Sequence, residues 1–504
     1  MSGRPVVTPW TLSAEQGRSL STLCGGNRAV LGVAAQVVAR QRRSLDWHAR
    51  SLESVAAGRS QLPFFSPLLP ICADSAQGSR LRCADGHEYV DAHMGYTAGI
   101  LGHNPPEVVE GLRDALGRRP GAGYFVQEGV ELAELVQELV PGLERVAFLH
   151  SGADAITAAV RLVRAFRRRT LIAKFEGCYH GWHESGLMNT ALTWAGRAGE
   201  GPLGQITPEP ATGGLSPAAG SDFLILPYGD PLAFELIRQH AGQLAGVLLD
   251  PVPRFMMNDL PLAEAFAREL RALTAELEVP LIFDEVVTGF RIAPGGIGAV
   301  FGVQPDLHCF GKITAGLGVP LSMVGGRAEL MQAASTAGLP GDYVGRKVWI
   351  STTHAANPLA LSASLLQLKA LRRAGPGLYE ELDARHAWIG EEVARLSARL
   401  NLPFRLDGHA RLYSMLTFQT EPPDPATITP ADALNPARAY FRSFTPGNVR
   451  AARLLTLYLR LQDVYMETLP TLDLSVVHTA QDAEQIAQGL DRSLSDMTRH
   501  GVFA

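Results

Sequence analysis

An α/β architecture, with a mostly parallel central sheet covered by helices on both faces, is what this sequence predicts. Three observations lead there. Between about 130 and 330 short apolar runs recur: RVAFLH (145–150), LIAKF, FLILPY, AGVLLDPV, VPLIFDEV, LHCFG and PLSMVGG. Runs of this kind, without polar alternation, suit strands buried on both faces. Helical patterns such as ELAELVQELV and LAEAFARELRALTAEL separate several of them, as parallel crossovers require. The carboxyl ends of the runs carry Ser151-Gly152-Ala153, Asp284-Glu285 and Gly311-Lys312, and ligands of such sheets sit beyond those ends.

The remaining elements follow in chain order. Residues 1–60 read as one or two helices without a chemical motif. The start MSGRPVVTPWTLSAEQ lacks the basic-then-apolar pattern of a secretory signal. The stretch AVLGVAAQVVA (29–39) is too short to span a bilayer, and with RQRR after it reads as an amphipathic helix with a solvated basic end. Asp85-Gly86, between short strand-like runs, marks a hairpin turn. Pro105-Pro106 precedes a helix from about Glu107. A second helix is expected over 155–167, after the RVAFLH strand. The Gly- and Pro-rich stretch 195–220 breaks the rhythm and is expected as a lid or rim loop. NPLALSASLLQLKALRRA reads as a long helix, and Thr479 with Asp482 forms a capping box for the last one.

Bulk properties exclude several classes. With 504 residues the chain exceeds a single core and suggests two to four lobes. Hydrophobic residues at 46% and charged residues at 19% are a globular balance. A net charge of −5 gives no reason to expect nucleic acid or an anionic membrane as the main partner. Five scattered cysteines imply no disulfide framework. A soluble cytoplasmic protein is the expectation.

Four features at strand ends carry chemistry. Ser151, Gly152 and Ala153 form a small-residue turn into a helix, where free N–H groups and the dipole suit a phosphate. Asp284 at a strand end could hold a proton on a ring nitrogen, or be structural. Lys312 could form a Schiff base with a carbonyl group, or be a surface lysine. Tyr179, in KFEGCYHGWHE, could stack on a flat ring. Cys178, His180 and His183 in the same stretch resemble a metal cluster, but their spacing is tight and no second ligand group lies nearby, so no metal is expected. His180 either borders the site or is a hydrogen-bonded structural histidine.

Together these features suit pyridoxal 5'-phosphate. The chain resembles the class III, fold type I pyridoxal-phosphate aminotransferases, nearest the glutamate-1-semialdehyde aminomutase-like branch. The matching motifs are SGADA, KFEGCYHG, IFDEVVTGFR, GVQPDL…FGK and THAANPLA, with DGHEYVD…GILGHNPPEV as a softer match. The resemblance covers about 75–490 and implies a large cofactor-binding domain with a mostly parallel sheet plus a smaller α+β domain. The divisions expected are an N-terminal helical extension (1–74), the first part of the small domain with a linker (75–129), the large domain (130–375) and a C-terminal small domain (376–504). The resemblance further implies that Lys312 forms the Schiff base and moves the proton, and that Asp284 pairs with the ring nitrogen. Tyr179 would stack on one ring face and Val286 on the other, while Ser151, Gly152 and Ala153 hold the phosphate. Thr353 would reach the phosphate of a partner subunit, implying a homodimer with sites at its interface.

Departures from the family pattern shape the expected reaction. SGADA stands where SGTEA is usual. Pro253-Arg254-Phe255 replaces a polar contact after VLLDPV, unless Arg254 supplies it. SQLPFFSPLLP, with Gln61, stands where relatives place a carboxylate-binding arginine, and the aminomutase's C-terminal acidic motif is not visible. These departures favour amino transfer between a small-molecule donor and a ketone or aldehyde acceptor by a ping-pong mechanism, in a natural-product pathway. The alternatives are an aminomutase, an epimerase or a decarboxylase. A non-enzymatic regulator on the same fold needs an effector domain that the first 60 residues do not supply.

Overall fold

The computed structural model describes residues 20–56, 68–184, 186–190, 206–216, 218–335, 347–420, 437, 440 and 444–503. The chain forms two compact units, Pro106–Tyr379 with Pro423–Phe444, and Met1–Pro105 with Glu380–Pro422 and Thr445–Ala504.

A seven-stranded sheet organises the larger unit. Its strands are β1 (Arg145–Leu149), β2 (Leu171–Phe175), β3 (Phe223–Leu226), β4 (Leu244–Leu249), β5 (Leu281–Glu285), β6 (Leu307–Phe310) and β7 (Ser322–Gly326). They lie in the order β1-β7-β6-β5-β4-β2-β3. All neighbouring pairs from β6 to β3 are parallel, whereas β7 runs antiparallel to both β6 and β1. Every residue of β4, β5, β6 and β7 is buried, which is why these segments read as continuous apolar runs. Asp284 pairs with Cys309 and Glu285 with Phe310, so β5 and β6 end side by side, and Lys312 lies two residues past β6.

The helix after β1 covers Gly152–Arg167 and packs its Ala155, Ile156, Val160 and Val163 with Ile172, Leu248, Ile282 and Val324 in one core. Each such buried aliphatic side chain contributes about 1.5–3 kcal/mol. The helix starts three residues before its apolar period does. Ser151 caps it: its Oγ accepts from Asp154 N at 3.2 Å, and the Asp154 carboxylate accepts from Ser151 N at 3.0 Å. The long helix after the Thr353 loop covers Pro358–Ala374, with Asn357 Oδ1 accepting from Ala360 N at 2.9 Å.

The smaller unit holds a four-stranded sheet (Ala73–Gln77, Arg80–Cys83, Glu88–Asp91, Val464–Tyr465) and a three-stranded one (Phe404–Gly408, Ser414–Phe418, Thr471–Leu472). The hairpin at Asp85-Gly86 is present, and Gly86 takes φ +87°, which favours glycine. The N-terminal helices Arg28–Arg40 and Arg42–Ser54 belong to this unit. Asn27 Nδ2 donates to His500 O at 2.7 Å, Arg40 meets Asp463 at 2.6 Å, and Asp85 accepts from the N–H groups of Arg43 and Ser44. The last helix, Ala480–Arg499, carries the expected Thr479–Asp482 capping box. No helix of the described residues is long and apolar enough to cross a membrane.

Candidate active site

The Ser151–Ala153 turn opens where β1 ends. Among the first-turn N–H groups of its helix, those of Gly152 and Ala153 lie outside the helical ladder. A side chain on Gly152 would put its Cβ 2.7 Å from Val286 Cγ2, so the turn and Val286 are in direct contact. A Cβ on Gly311 would lie 3.1 Å from Val286 Cγ1 and 3.5 Å from Gly152 Cα. Glycine at 311 therefore lets the residue before Lys312 press against both. Ser322 Oγ on β7 donates to Ser151 O at 2.7 Å and anchors the turn from below.

Asp284 lies one residue before the end of β5 and is buried. Its Oδ2 lies 2.7 Å from His180 Nδ1, and its Oδ1 accepts from Val286 N at 3.1 Å. His180 is buried too, and burial lowers its pKa despite the bond to Asp284. Nδ1 faces the carboxylate, and Nε2 has no hydrogen-bond partner among the described residues. The sequence left His180 open between border and structural roles. The structure shows a buried histidine hydrogen-bonded to Asp284 near the sheet end.

Lys312 opens a single 3-10 turn, Lys312–Thr314, with φ +50°. A non-glycine residue in the left-handed region costs of order 1–3 kcal/mol and concentrates at functional sites. The surroundings hold that conformation: Thr314 Oγ1 donates to Leu321 O at 2.5 Å, and Gln367 Nε2, from the Pro358–Ala374 helix, donates to Ile313 O at 2.8 Å.

Tyr179 and His180 sit on a loop closed at its neck, where Gly177 N donates to Asn189 O at 2.7 Å. Within it, His183 Nε2 lies 3.1 Å from His180 O. Gly181 has φ +107°, and a Cβ there would fall 2.6 Å from Ala153 Cβ. The loop therefore rests on the Ser151–Ala153 turn. Tyr179 is half-exposed at 43%, available as a platform, and burial together with the Asp284 charge raises its pKa. Residues 206–211 of the Gly/Pro-rich stretch are tied to this loop: Asn189 Nδ2 donates to Thr207 O at 3.0 Å, and Asn189 Oδ1 accepts from Glu209 N at 2.8 Å. The stretch 191–205 lies outside the described residues, as do Gln61 and most of SQLPFFSPLLP.

Thr353 is exposed on the loop before Asn357, and its neighbour Thr352 lies 3.4 Å from His150 Nδ1. Arg254 is exposed just beyond β4, while Phe255 beside it is buried. Two further charged groups went unnoticed in the sequence. Asp250, immediately after β4, has its pKa pushed well up by burial and then by the Asp284 charge. Asp250 was findable by the strand-end rule that found Asp284. Lys174 sits inside β2 with no exposed surface, and nothing in the apolar run around it marks it out. Cys178 is buried with its thiol pKa raised well above the ordinary value, and among the described residues no group of three His, Cys, Asp or Glu side chains could hold a metal ion.

Comparison with known proteins places these residues in context. The family profile "Aminotransferase class-III" matches residues 65–414. A glutamate-1-semialdehyde 2,1-aminomutase of Thermomicrobium roseum is 37% identical over 349 residues, covering 69% of this chain and 75% of its own. One of Desulforamulus reducens is 35% identical over 378 residues, 75% of this chain and 82% of its own. Among solved structures, an omega-transaminase from Sphaerobacter thermophilus shares 28% identity at a TM-score of 0.79, covering 90% of this chain and 98% of its own. A glutamate-1-semialdehyde-aminomutase from Pseudomonas aeruginosa PAO1, at 20% identity, a TM-score of 0.75, and 97% and 100% coverage, shares the fold.

Proposed function

The chain belongs to the class-III aminotransferase family and is a pyridoxal-phosphate enzyme, and on that premise we propose that it moves an amino group to or from a carbonyl carbon at the β1, β5 and β6 strand ends. The observation that carries this reading is the Asp284–His180 pair at 2.7 Å, buried at the end of the strand beside the one leading to Lys312. The residues present fit the cofactor. Bare backbone lines the turn at Gly152, because a Cβ there would fall against Val286, and Asp284 keeps acceptor capacity beyond its two protein bonds.

When bound, the cofactor supplies an electron sink for the pair left as a bond at the amino-bearing carbon breaks. This chain's residues do the rest. The N–H groups of Gly152 and Ala153 hold the phosphate at the helix N-terminus. Asp284 would accept the ring N–H, while His180, 2.7 Å from Oδ2, keeps that carboxylate aimed. Tyr179 would cover one face of the ring and Val286 the other. Lys312 Nζ takes the proton from the amino-bearing carbon and returns it to the receiving one.

The named relatives support exchange within one molecule, an aminomutase-type isomerisation, better than the intermolecular transfer that the sequence departures favour. Transfer between two molecules is the second reading, supported by the fold shared with an omega-transaminase. A homodimer is part of the proposal: Phe125 is 91% exposed, Tyr124 and Trp349 are exposed as well, and Thr353 is exposed on its loop, where it would reach a partner's phosphate.

The test is a panel of amino compounds given to the holoenzyme, with cofactor absorbance and products followed together. Donor loss with a matching keto product supports intermolecular transfer. An isomer formed without net donor loss supports the mutase. Turnover by Lys312→Ala at the wild-type rate overturns both.

A further inference from the structure

We propose that Lys174 is a positioning residue, whose buried ammonium closes the loop presenting Tyr179 and His180 and sets a positive charge against Asp284. The side chain has no exposed surface and lies in β2, paired with Ile225 and Leu248. An ammonium in such a place is costly unless its protons are used. Two of them are: Nζ donates to Met188 O at 2.5 Å and to Cys178 O at 3.3 Å. These carbonyls belong to the outgoing and returning limbs of the loop whose neck is also closed by Gly177 N and Asn189 O. Cys178 immediately precedes Tyr179, so the amine fixes where the platform begins.

Charge explains why the donor is a lysine. Burial lowers its pKa to about 8, opposed by Cys178 and Asp284. Its charge in turn disfavours protonation of His180 and His183. A neutral His180 can still donate Nδ1–H to the Asp284 carboxylate 2.7 Å away. The groups acting on Lys174 therefore form one unit with the acid that faces the cofactor ring. A neutral donor would close the loop but leave this balance unset.

The inference rests on the reading that this loop holds the cofactor ring, and one experiment separates the two. Apo-protein of the wild type, Lys174→Met and Lys174→Gln is titrated with pyridoxal phosphate, and the pH midpoint of the bound cofactor's visible band is recorded. Lys174→Met should bind roughly ten-fold more weakly or worse, having lost two charge-assisted bonds. Lys174→Gln keeps donors and should bind within a few-fold of wild type, yet its midpoint should rise, because a positive charge that opposes protonation is gone. Wild-type affinity and an unmoved midpoint in both variants overturn the role of Lys174. If Lys174→Met does not fold, the midpoint in Lys174→Gln decides alone. A wild-type protein that shows no visible band with the cofactor sinks the site assignment instead.

Discussion

Asp284 and Glu285 are neighbours on one strand, both buried and each facing a histidine, yet their surroundings differ. Successive strand residues point to opposite faces of the sheet. Asp284 meets His180 Nδ1 at 2.7 Å and Val286 N at 3.1 Å. Glu285 meets His308 Nδ1 at 3.0 Å, Ile297 N at 2.6 Å and Thr288 Oγ1 at 3.3 Å. Gly296 is held at φ +71° with no room for a Cβ beside the same carboxylate. Glu285 is enclosed by donors from three segments. Asp284 has fewer protein donors. A carboxylate has about four acceptor sites, so spare capacity, more than burial or a histidine partner, separates the acid that can take a ligand from the acid that holds the fold.

The largest effect should come from removing the acid with spare capacity. Asp284→Ala is expected to lower kcat/KM by roughly a thousand-fold, since it removes the charge opposite the ring nitrogen, with a smaller loss of melting temperature than a change at Glu285, because it orphans fewer protein donors. Steady-state kinetics and thermal unfolding on the same sample check it. Glu285→Gln should do the reverse. It sets an amide against donors that now lack an acceptor, costing about 2–3 kcal/mol of stability, while the protein that stays folded keeps most of its activity. Equal activity losses in the two variants would break the distinction.

His180→Phe sharpens it further. The ring keeps its shape but loses the bond to Asp284, a charge-assisted contact of about 1.5–3 kcal/mol, so kcat/KM should fall roughly 10–100-fold. Because the histidine acts through the acid, the pH midpoint of the bound cofactor's absorbance should move as well. A variant that is merely less stable would leave that midpoint in place.

The sheet was legible because its strands are buried on both faces and so read as apolar runs. The same rule located Asp284, Lys312 and the Ser151 turn, since each follows such a run. The start of the Gly152–Arg167 helix was misjudged because periodicity begins at the first core residue, Ala155, whereas Ser151 and Asp154 fix the actual start through side-chain capping. The Asp284–His180 contact joins residues 104 apart in sequence and left no local signal. Lys174 was invisible for a different reason: a lone charge in an apolar strand has meaning only once the carbonyls of Cys178 and Met188 are brought to it. The N-terminal helices carry no motif, and their attachment to Asp463 and His500 depends on contacts more than 400 residues away.

The smallest effect concerns acid on the Asp284 side. Burial lowers the pKa of His183 to about 4, with the neighbouring His180 pushing the same way. Its ordinary value is about 6.5, so the fold binds the neutral ring and the unfolded chain takes up the proton first. The resulting stability is fully present above about 6.5 and declines as pH falls from there toward 4. Since His183 lies 3.1 Å from His180 O, protonating it disturbs the loop that aims His180 at Asp284. His183→Gln, which cannot take up the proton, should therefore lose less melting temperature than wild type between pH 7 and pH 4, by a few degrees. Parallel melting curves for the two proteins over that range would remove His183 from the account of why this side of the sheet is acid-sensitive.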